Sequence, residues 1–165
     1  MIYFLTAVSI SILCIIDQLI KWAVKTYLLP VGNVTLIPGV LELKYVENTG
    51  AAFGSMSNST FALSVFTSAL ILACLIALFS GKLKDKVLRI CLILIVSGGL
   101  GNLLDRMFRS EKFFCGYVID YINVLFVDFA VFNFADILIT VGCFVAMFYV
   151  LFADKYKKKK VKNND

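Results

Sequence analysis

Four long apolar segments constrain the fold of this chain more than any other feature. They cover residues 2–24, 60–79, 87–104 and 129–152. Each can cross a bilayer as a helix, because a transmembrane helix needs about 20 mostly apolar residues. The composition agrees, since 61% of the residues are hydrophobic, whereas soluble domains have roughly 45–50% apolar residues. We therefore predict an all-α membrane protein with four transmembrane helices, which form a single membrane-embedded domain over residues 1–165.

Basic residues beside these segments predict the orientation of the helices. Lys82, Lys84 and Lys86 lie in the short loop before the third segment, and the tail over residues 155–165 is rich in lysine. Because cytoplasmic loops carry an excess of Lys and Arg, we expect both termini to be cytoplasmic. We also expect the tail to be disordered. The net charge of +5 then reflects topology and contacts with anionic lipids, and it implies no nucleic-acid partner.

The first predicted extracytoplasmic segment carries a β pattern. Pro38 and Gly39 are typical of the two central positions of a type II turn. After this turn, Leu41, Leu43 and Tyr45 alternate with charged residues, which is the period of a half-buried strand. We predict a small antiparallel β-sheet element on the extracytoplasmic side, between helices 1 and 2. A solvated hairpin without a function is the competing interpretation.

The composition also excludes several kinds of hydrolase. The chain has no histidine, which excludes Ser-His-Asp triads, Cys-His pairs and HExxH zinc sites. Its five cysteines show no CxxC spacing, and four of them fall within the apolar segments. We interpret the cysteines as packing residues. The sequence therefore implies neither a metal site nor a cofactor.

The fourth segment contains the stretch FNFADILI, in which Asn133 and Asp136 are three residues apart. A charge at the centre of a membrane helix costs about 2.5–3.5 kcal/mol on insertion scales, so such residues usually have a function. Asp136 and Asp17 each lie ~10 Å from the predicted outer end of their helices, at 1.5 Å per residue. The third helix brings a further polar set to the same end: Asn102, Asp105 and Arg106.

Spacing along two of the helices predicts side-chain pairs. Asp17 and Lys21 are i,i+4 neighbours and can pair, as can Asn102 and Arg106. An internal ion pair that fixes the position of the first helix explains Asp17 and Lys21 at least as well as a catalytic role does. The sequence leaves these two interpretations open.

Asp136 has no basic residue three or four positions away, and it shares a helix face with Asn133 and Thr140. Its best candidate partner is Asp120, in the apolar, strand-like stretch GYVIDYINV. Two aspartates in a site of low dielectric cannot both ionise easily, so they share a proton. The ionised carboxylate can then activate water, and the protonated one can donate to a carbonyl oxygen. The pair predicts peptide hydrolysis without histidine, serine or metal.

Five sequence blocks in a fixed order resemble the bacterial lipoprotein signal peptidases, also called signal peptidase II. The resemblance covers essentially the whole chain. The blocks are DQLIK from Asp17, ENTGAAF from Glu47, GGLGNLLDR from Gly98, GYVIDYI from Gly116 and VFNFAD from Val131. Each block is weak alone, but five in this order on a four-helix topology are specific.

The resemblance implies an intramembrane aspartyl protease of the bacterial cytoplasmic membrane, with its active site on the extracytoplasmic side. Its substrates would be diacylglyceryl-modified prolipoproteins, cut before the lipidated cysteine. The chain would act as a monomer among membrane lipids. Asp120 and Asp136 match the catalytic aspartates of the family. The positions that match residues shaping or supporting the site are Asp17, Lys21, Asn48, Gly50, Asn102, Arg106 and Asn133.

The sequence departs from the family pattern near these residues. Tyr121 stands where phenylalanine is common, Phe134 where a smaller aliphatic residue is common, and Ile137 where members often carry serine. The loop SEKFFCG over residues 110–116 lengthens the approach to Asp120. These departures bear on substrate preference and inhibitor fit rather than on the reaction.

Two other classes of protein are alternatives. A proton-coupled transporter or channel subunit also uses buried acids, but a proton relay should place acids in both leaflets. Here the predicted inner halves of the helices are apolar or carry only Arg89 at the edge. A non-catalytic membrane scaffold is the other alternative, and it predicts that Asp120 and Asp136 tolerate replacement.

Overall fold

The computed structural model describes residues 1–50 and 57–162, and the side chains of residues 57–59 and 153–162 lie outside that description. The described part is mostly helical. Its helices are α1 (Ile2–Ala23), which continues as a π-helical segment (Val24–Leu28), α2 (Ser57–Phe79), α3 (Lys86–Phe108) and α4 (Phe134–Lys162). Four stretches of these helices are long and apolar enough to cross a membrane: Ile2–Leu28, Thr60–Phe79, Lys86–Phe108 and Phe134–Phe152. The prediction of four membrane helices is confirmed at this level.

Helix α3 is the central helix of the bundle. Half of its most apolar window is buried inside the protein, against 17% for each of the other three helices. The outer helices instead present large apolar side chains on the surface, among them Phe4, Phe66 and Leu151. Such a surface suits surrounding lipid, which needs no polar covering.

Glycines of α3 allow its neighbours to approach closely. A Cβ atom at Gly98 would collide with the backbone carbonyl of Ala135 on α4, and one at Gly101 would lie 2.5 Å from Asp17 Oδ2 on α1. Small residues at helix contacts are the usual means of close packing in membranes. Here they bring the polar residues of α1, α3 and α4 within contact distance of one another.

The sheet has three antiparallel strands, β1 (Val34–Ile37), β2 (Leu41–Asn48) and β3 (Val118–Val124), in the order β1-β2-β3. The predicted turn between β1 and β2 is confirmed. The Val40 N–H donates to the Ile37 carbonyl over 3.0 Å, and Gly39 has φ +70°, as position i+2 of a type II turn requires.

The predicted sheet between helices 1 and 2 was incomplete, because its third strand comes from the segment between α3 and α4. Residues 118–121 of β3 are all buried, so the strand lacks the alternation that marks a half-buried strand. Ile119 and Tyr121 pack with Val24 and Leu28 of the π-helical segment. The sheet is thereby fixed to the end of α1.

The fourth helix begins later than predicted, at Phe134 rather than residue 129. The chain before it pairs with β3 instead, since the Ile122 N–H donates to the Phe132 carbonyl over 2.8 Å and the Phe132 N–H returns a bond of 3.1 Å. Asp136 therefore lies in the first turn of α4, whereas Asp17 lies about three turns before Leu28. The predicted equal depth of the two aspartates in their helices is wrong.

The end of α4 also differs from the prediction of a disordered tail. The helix continues to Lys162, and residues 163–165 lie outside the described residues. The AAF portion of the block ENTGAAF, residues 51–53, lies outside them as well. The cysteines are free thiols, from the buried Cys91 to the exposed Cys143.

Candidate active site

Asp120 and Asp136 lie where β3 meets the start of α4. Asp120 is in the middle of β3, pairs in register with Val46 of β2 and is only 2% exposed. Asp136 is half-buried in the first turn of α4. The pairing of Phe132 with Ile122 of β3 brings that turn back beside the strand. The strand and the helix that follows it thus each bring one carboxyl group within hydrogen-bond distance of Asn133.

Asn133 contacts both aspartates. Its backbone N–H donates to Asp136 Oδ2 over 3.0 Å, and the Asp136 N–H donates to Asn133 Oδ1 over 3.1 Å. This reciprocal pair is the arrangement of a capping box and fixes the start of α4. The amide Nδ2 of Asn133 donates to Asp120 Oδ1 over 2.6 Å. One buried asparagine therefore ties the strand carboxyl to the helix carboxyl.

Two further asparagines complete the shell around the carboxyl groups. Asn48 Nδ2, at the end of β2, donates to Asp120 Oδ2 over 2.8 Å. Asn102 Nδ2, on α3, donates to Asp136 Oδ1 over 2.8 Å. Each carboxyl group thus accepts one amide N–H on each oxygen. Because a carboxylate oxygen has two acceptor positions, each oxygen still has room for a water molecule or a shared proton.

Gly50 orients one of these asparagines. Its N–H donates to Asn48 Oδ1 over 2.8 Å, so the NH₂ end of the Asn48 amide must face Asp120. The φ of Gly50 is +80°, a conformation that favours glycine. The Gly50 N–H is therefore occupied within the protein.

Burial raises the pKa of Asp120 to about 6, and the negative charge of Asp136 acts in the same direction. The hydrogen bonds from Asn48 and Asn133 and the charge of Lys21 oppose this shift. Asp120 therefore holds its proton to a much higher pH than an exposed aspartate, whose pKa is about 3.9. The two neighbouring carboxyl groups can share one proton near neutral pH.

Asp17 and Lys21 form the predicted i,i+4 ion pair, with 2.9 Å between Lys21 Nζ and Asp17 Oδ2. Lys21 also contacts Asp105 over 2.8 Å and donates to Asn102 Oδ1 over 2.8 Å. Asn102 therefore binds Lys21, Asn133 and Asp136 rather than Arg106, which its spacing had suggested. Eight of the nine predicted site residues belong to this single hydrogen-bonded network: Asp17, Lys21, Asn48, Gly50, Asn102, Asp120, Asn133 and Asp136.

The predicted site residues omitted two members of the network, Asp105 and Gln18. Asp105 binds Lys21 over 2.8 Å. Gln18 Nε2 lies within hydrogen-bond distance of Asp17, of Asp105 and of the Gly101 carbonyl. Their signal was present in the blocks DQLIK and GGLGNLLDR, where each is next to a predicted site residue. The contacts of Lys21 and Gln18 with Asp105 cross between α1 and α3, so spacing along one helix could not identify them.

Arg106 lines a cavity of about 450 Å³ that opens beside Asp120. Its side chain is buried, and its Nε has no hydrogen-bond partner among the described residues. A buried guanidinium N–H without a partner is costly. The remaining lining comes from the end of β2 and from three apolar neighbours: Val46, Glu47, Asn48, Thr49, Gly50, Leu63, Ala130 and Val131.

Asp136 opens onto a different and more apolar groove, of about 290 Å³. Thr140, predicted to point into the bundle with Asp136, is exposed and lines this groove. Ile137, one of the three departures from the family pattern, also lines this groove. The other two, Phe134 and Tyr121, contact each other, since the Phe134 N–H donates to the Tyr121 hydroxyl over 3.2 Å. Asp120 thus lines the first cavity and Asp136 lines this groove, and Asn133 contacts both carboxyl groups.

Comparisons with known proteins agree with each other. The sequence profile of the family described as Signal peptidase (SPase) II matches residues 9–152. The lipoprotein signal peptidase of Streptococcus thermophilus is 40% identical over 139 residues, which is 82% of this chain and 86% of that protein. The lipoprotein signal peptidase of Clostridium acetobutylicum is 36% identical over 158 residues, or 93% and 97% of the two chains.

Solved structures give the same result for the fold. One bacterial membrane enzyme superposes with a TM-score of 0.70 and 26% identity, covering 92% of this chain and 90% of its own. A second bacterial membrane enzyme superposes with a TM-score of 0.69 and 27% identity. The four-helix arrangement with its small sheet is thus similar to that of known membrane enzymes.

Proposed function

Because the chain belongs to the signal peptidase II family, we propose that Asp120 and Asp136 are the catalytic pair of an aspartyl endopeptidase. It removes the signal peptides of prolipoproteins. We propose further that the substrates carry a diacylglyceryl group and are cut before the lipidated cysteine. The observation that carries this proposal is the pair of aspartates, held by three asparagine side chains, at the edge of a cavity.

The two carboxyl groups divide the chemistry between them. Asp120, with its pKa raised to about 6 by burial, holds the shared proton and donates it to the oxygen of the scissile carbonyl. Asp136 is the ionised partner, because the first turn of a helix stabilises a carboxylate. It takes a proton from the attacking water as the water oxygen bonds to the carbonyl carbon. When the tetrahedral intermediate collapses, the C–N bond breaks and the leaving amine takes that proton from Asp136. As the carbonyl re-forms, a hydroxyl proton of the intermediate returns to Asp120.

Arg106 has a separate role in this proposal. Arg106 lines the cavity beside Asp120, and its guanidinium would donate to a backbone carbonyl of the bound peptide. The end of β2, which lines the same cavity, would support the extended peptide. The lipid chains of the substrate can lie against the apolar helix surface. The network that holds the two aspartates is formed by residues of one chain, so we take the monomer as the working unit.

A purified sample tests this function directly. The chain should cut a synthetic diacylglyceryl-modified prolipoprotein peptide once, on the N-terminal side of the lipidated cysteine, as read by mass spectrometry. An otherwise identical peptide without the lipid should be cut far more slowly. A chelator should leave the rate unchanged, because the mechanism uses no metal. Inhibition by the chelator, or cleavage elsewhere in the peptide, would contradict the proposal.

The active site is proposed to face the extracytoplasmic side of the bacterial cytoplasmic membrane. The lysines of the loop before α3 support this orientation, since basic loops stay in the cytoplasm. Reporters active on only one side of the membrane, fused near Lys84 and after Asp165, should both signal from the cytoplasm. A reporter inserted in the turn at Gly39 should signal from the opposite side. A reversed pattern would place the two aspartates on the cytoplasmic side.

The pH dependence should follow the proton of Asp120. Because the mechanism needs Asp120 protonated, kcat/KM should fall as pH rises through about 6, the pKa of this group, and then about tenfold per pH unit. The free energy of unfolding should change with pH in the same direction as kcat/KM. A folded pKa above the usual 3.8 means that Asp120 contributes stability at low pH, which is lost as pH rises to about 6.

Initial rates at low substrate concentration, corrected for folded protein at each pH, would measure this profile. A value of kcat/KM that rises through pH 6 would show that Asp120 acts as the base, and the roles of the two aspartates would then be exchanged.

The transporter alternative has less support. Among the described side chains, the buried carboxyl groups are Asp17, Asp105 and Asp120, and all three belong to the one network around Lys21 and the asparagines. A proton relay would need acids at intervals across the whole membrane.

A further inference from the structure

The ammonium group of Lys21 has three close partners. Its Nζ lies 2.9 Å from Asp17 Oδ2, 2.8 Å from Asp105 Oδ2 and 2.8 Å from Asn102 Oδ1. The side chains of Lys21 and of both acids are fully buried. The two acids are ion-pair partners, and Arg109 supplies the second cation that their charges need. Lys21 also donates a hydrogen bond to the Asn102 amide oxygen.

Asn102 has a fixed amide orientation as a result. Its Oδ1 accepts from Lys21 Nζ and, over 3.1 Å, from Asn133 Nδ2. If the amide turned over, its NH₂ group would face an ammonium and an amide N–H, and four donors would meet without an acceptor. The NH₂ end therefore faces the other way, where Nδ2 donates to Asp136 Oδ1 over 2.8 Å.

We propose that Lys21 is a positioning residue for the reaction, which acts through Asn102 by fixing the amide so that its NH₂ group holds Asp136. Lys21 reaches neither of the two cavities described beside the aspartates, so it does not touch substrate. The inference rests on the proposed catalytic role of Asp136. It gives Lys21 a function in orienting Asn102, which the ion pair with Asp17 alone would not provide.

A merely structural lysine would need only the two acids. Arg109 provides the comparison, because it is a second cation bound to Asp105, over 2.7 Å, and makes no contact with Asn102 or Asp136 in the described structure. Arg109→Gln removes a charge from the same cluster without disturbing the amide. It is therefore the matched control for a substitution at Lys21.

The test is a double-mutant cycle between Lys21 and Asn102. Lys21→Met should lower kcat of the folded protein by roughly 100-fold, the scale of a misplaced catalytic group, with KM nearly unchanged. In the Asn102→Ala background, Lys21→Met should have almost no further effect on kcat, because the orientation it controls is gone. Arg109→Gln should lower the thermal unfolding temperature but leave kcat within about threefold of the wild type.

Lys21→Met leaves two acids to share one remaining cation, so it can fail to fold. The double variant Asp17→Asn/Lys21→Met keeps the net charge of the cluster and would replace the single variant in that case. Its kcat would then be compared with that of Asp17→Asn alone. In either form, an unchanged kcat of the folded protein would overturn the proposal, and so would fully multiplicative losses with Asn102→Ala. If Asp136→Asn itself remained active, the proposed function would fail instead, so the two failures are distinguishable.

Discussion

Asp120→Asn and Asp136→Asn should each lower kcat on a lipidated prolipoprotein by at least about 10³-fold, since a single oriented electrostatic group is worth about 10²–10³-fold and each aspartate also moves a proton. Asparagine keeps the shape of the side chain but can neither ionise nor carry the shared proton. Each carboxyl group already accepts amide N–H groups from neighbouring asparagines. Replacing one carboxylate oxygen by an NH₂ group would therefore place a donor opposite one of these donors.

The matched control for these variants is Asp128→Asn. Asp128 is exposed in the loop between β3 and α4, close in sequence to both aspartates, and its replacement should leave kcat unchanged. Folded protein in each preparation is measured by its thermal unfolding curve. Near-normal turnover by either dyad variant at equal folded protein would support the scaffold or transporter interpretation.

Asn133→Ala should have the second largest effect, a loss of kcat of about 10²-fold, because the residue positions both carboxyl groups at once. The variant removes the amide donor to Asp120 and the acceptor for the Asp136 N–H. Loss of the second contact removes the cap of α4, which costs about 1 kcal/mol of stability. Both kcat and the unfolding temperature should therefore fall.

Asn123→Ala is the control for that change. Asn123 lies on the same strand as Asp120, and its amide donates to Glu42 over 2.7 Å, away from the aspartates. It should leave kcat unchanged. Equal losses from the two variants would mean that Asn133 supports the fold without ordering the reaction.

The membrane helices could be predicted from the sequence because apolar length is a local property. The start of α4 could not, because it depends on the pairing of Phe132 with Ile122 of β3, which no periodicity of the fourth segment contains. The stretch that forms β3 was predicted to be strand-like, but its pairing with β2 was not predicted. β3 is buried over residues 118–121, so its sequence lacks the alternation of a half-buried strand, and no local pattern shows which strand it pairs with.

The candidate site, like the fold, could be predicted only in part from the sequence. The block order in the sequence identified the residues that gather around Asp120 and Asp136, but it did not identify their contacts. Asn102 was expected to pair along its own helix with Arg106, whereas it binds residues of α1 and of the segment starting α4. Spacing along a helix reports neighbours on that helix alone. Contacts among three helices depend on the close approach that Gly98 and Gly101 allow.

The central claim is that Asp120 and Asp136 act as one unit. The most direct test compares the two single Asn variants with the double variant, using purified protein and one lipidated peptide. Members of a catalytic unit are not additive, so the double variant should be no more than about threefold slower than the slower single variant. Two partial losses that multiply in the double variant would contradict this account, because they would show two aspartates that act independently.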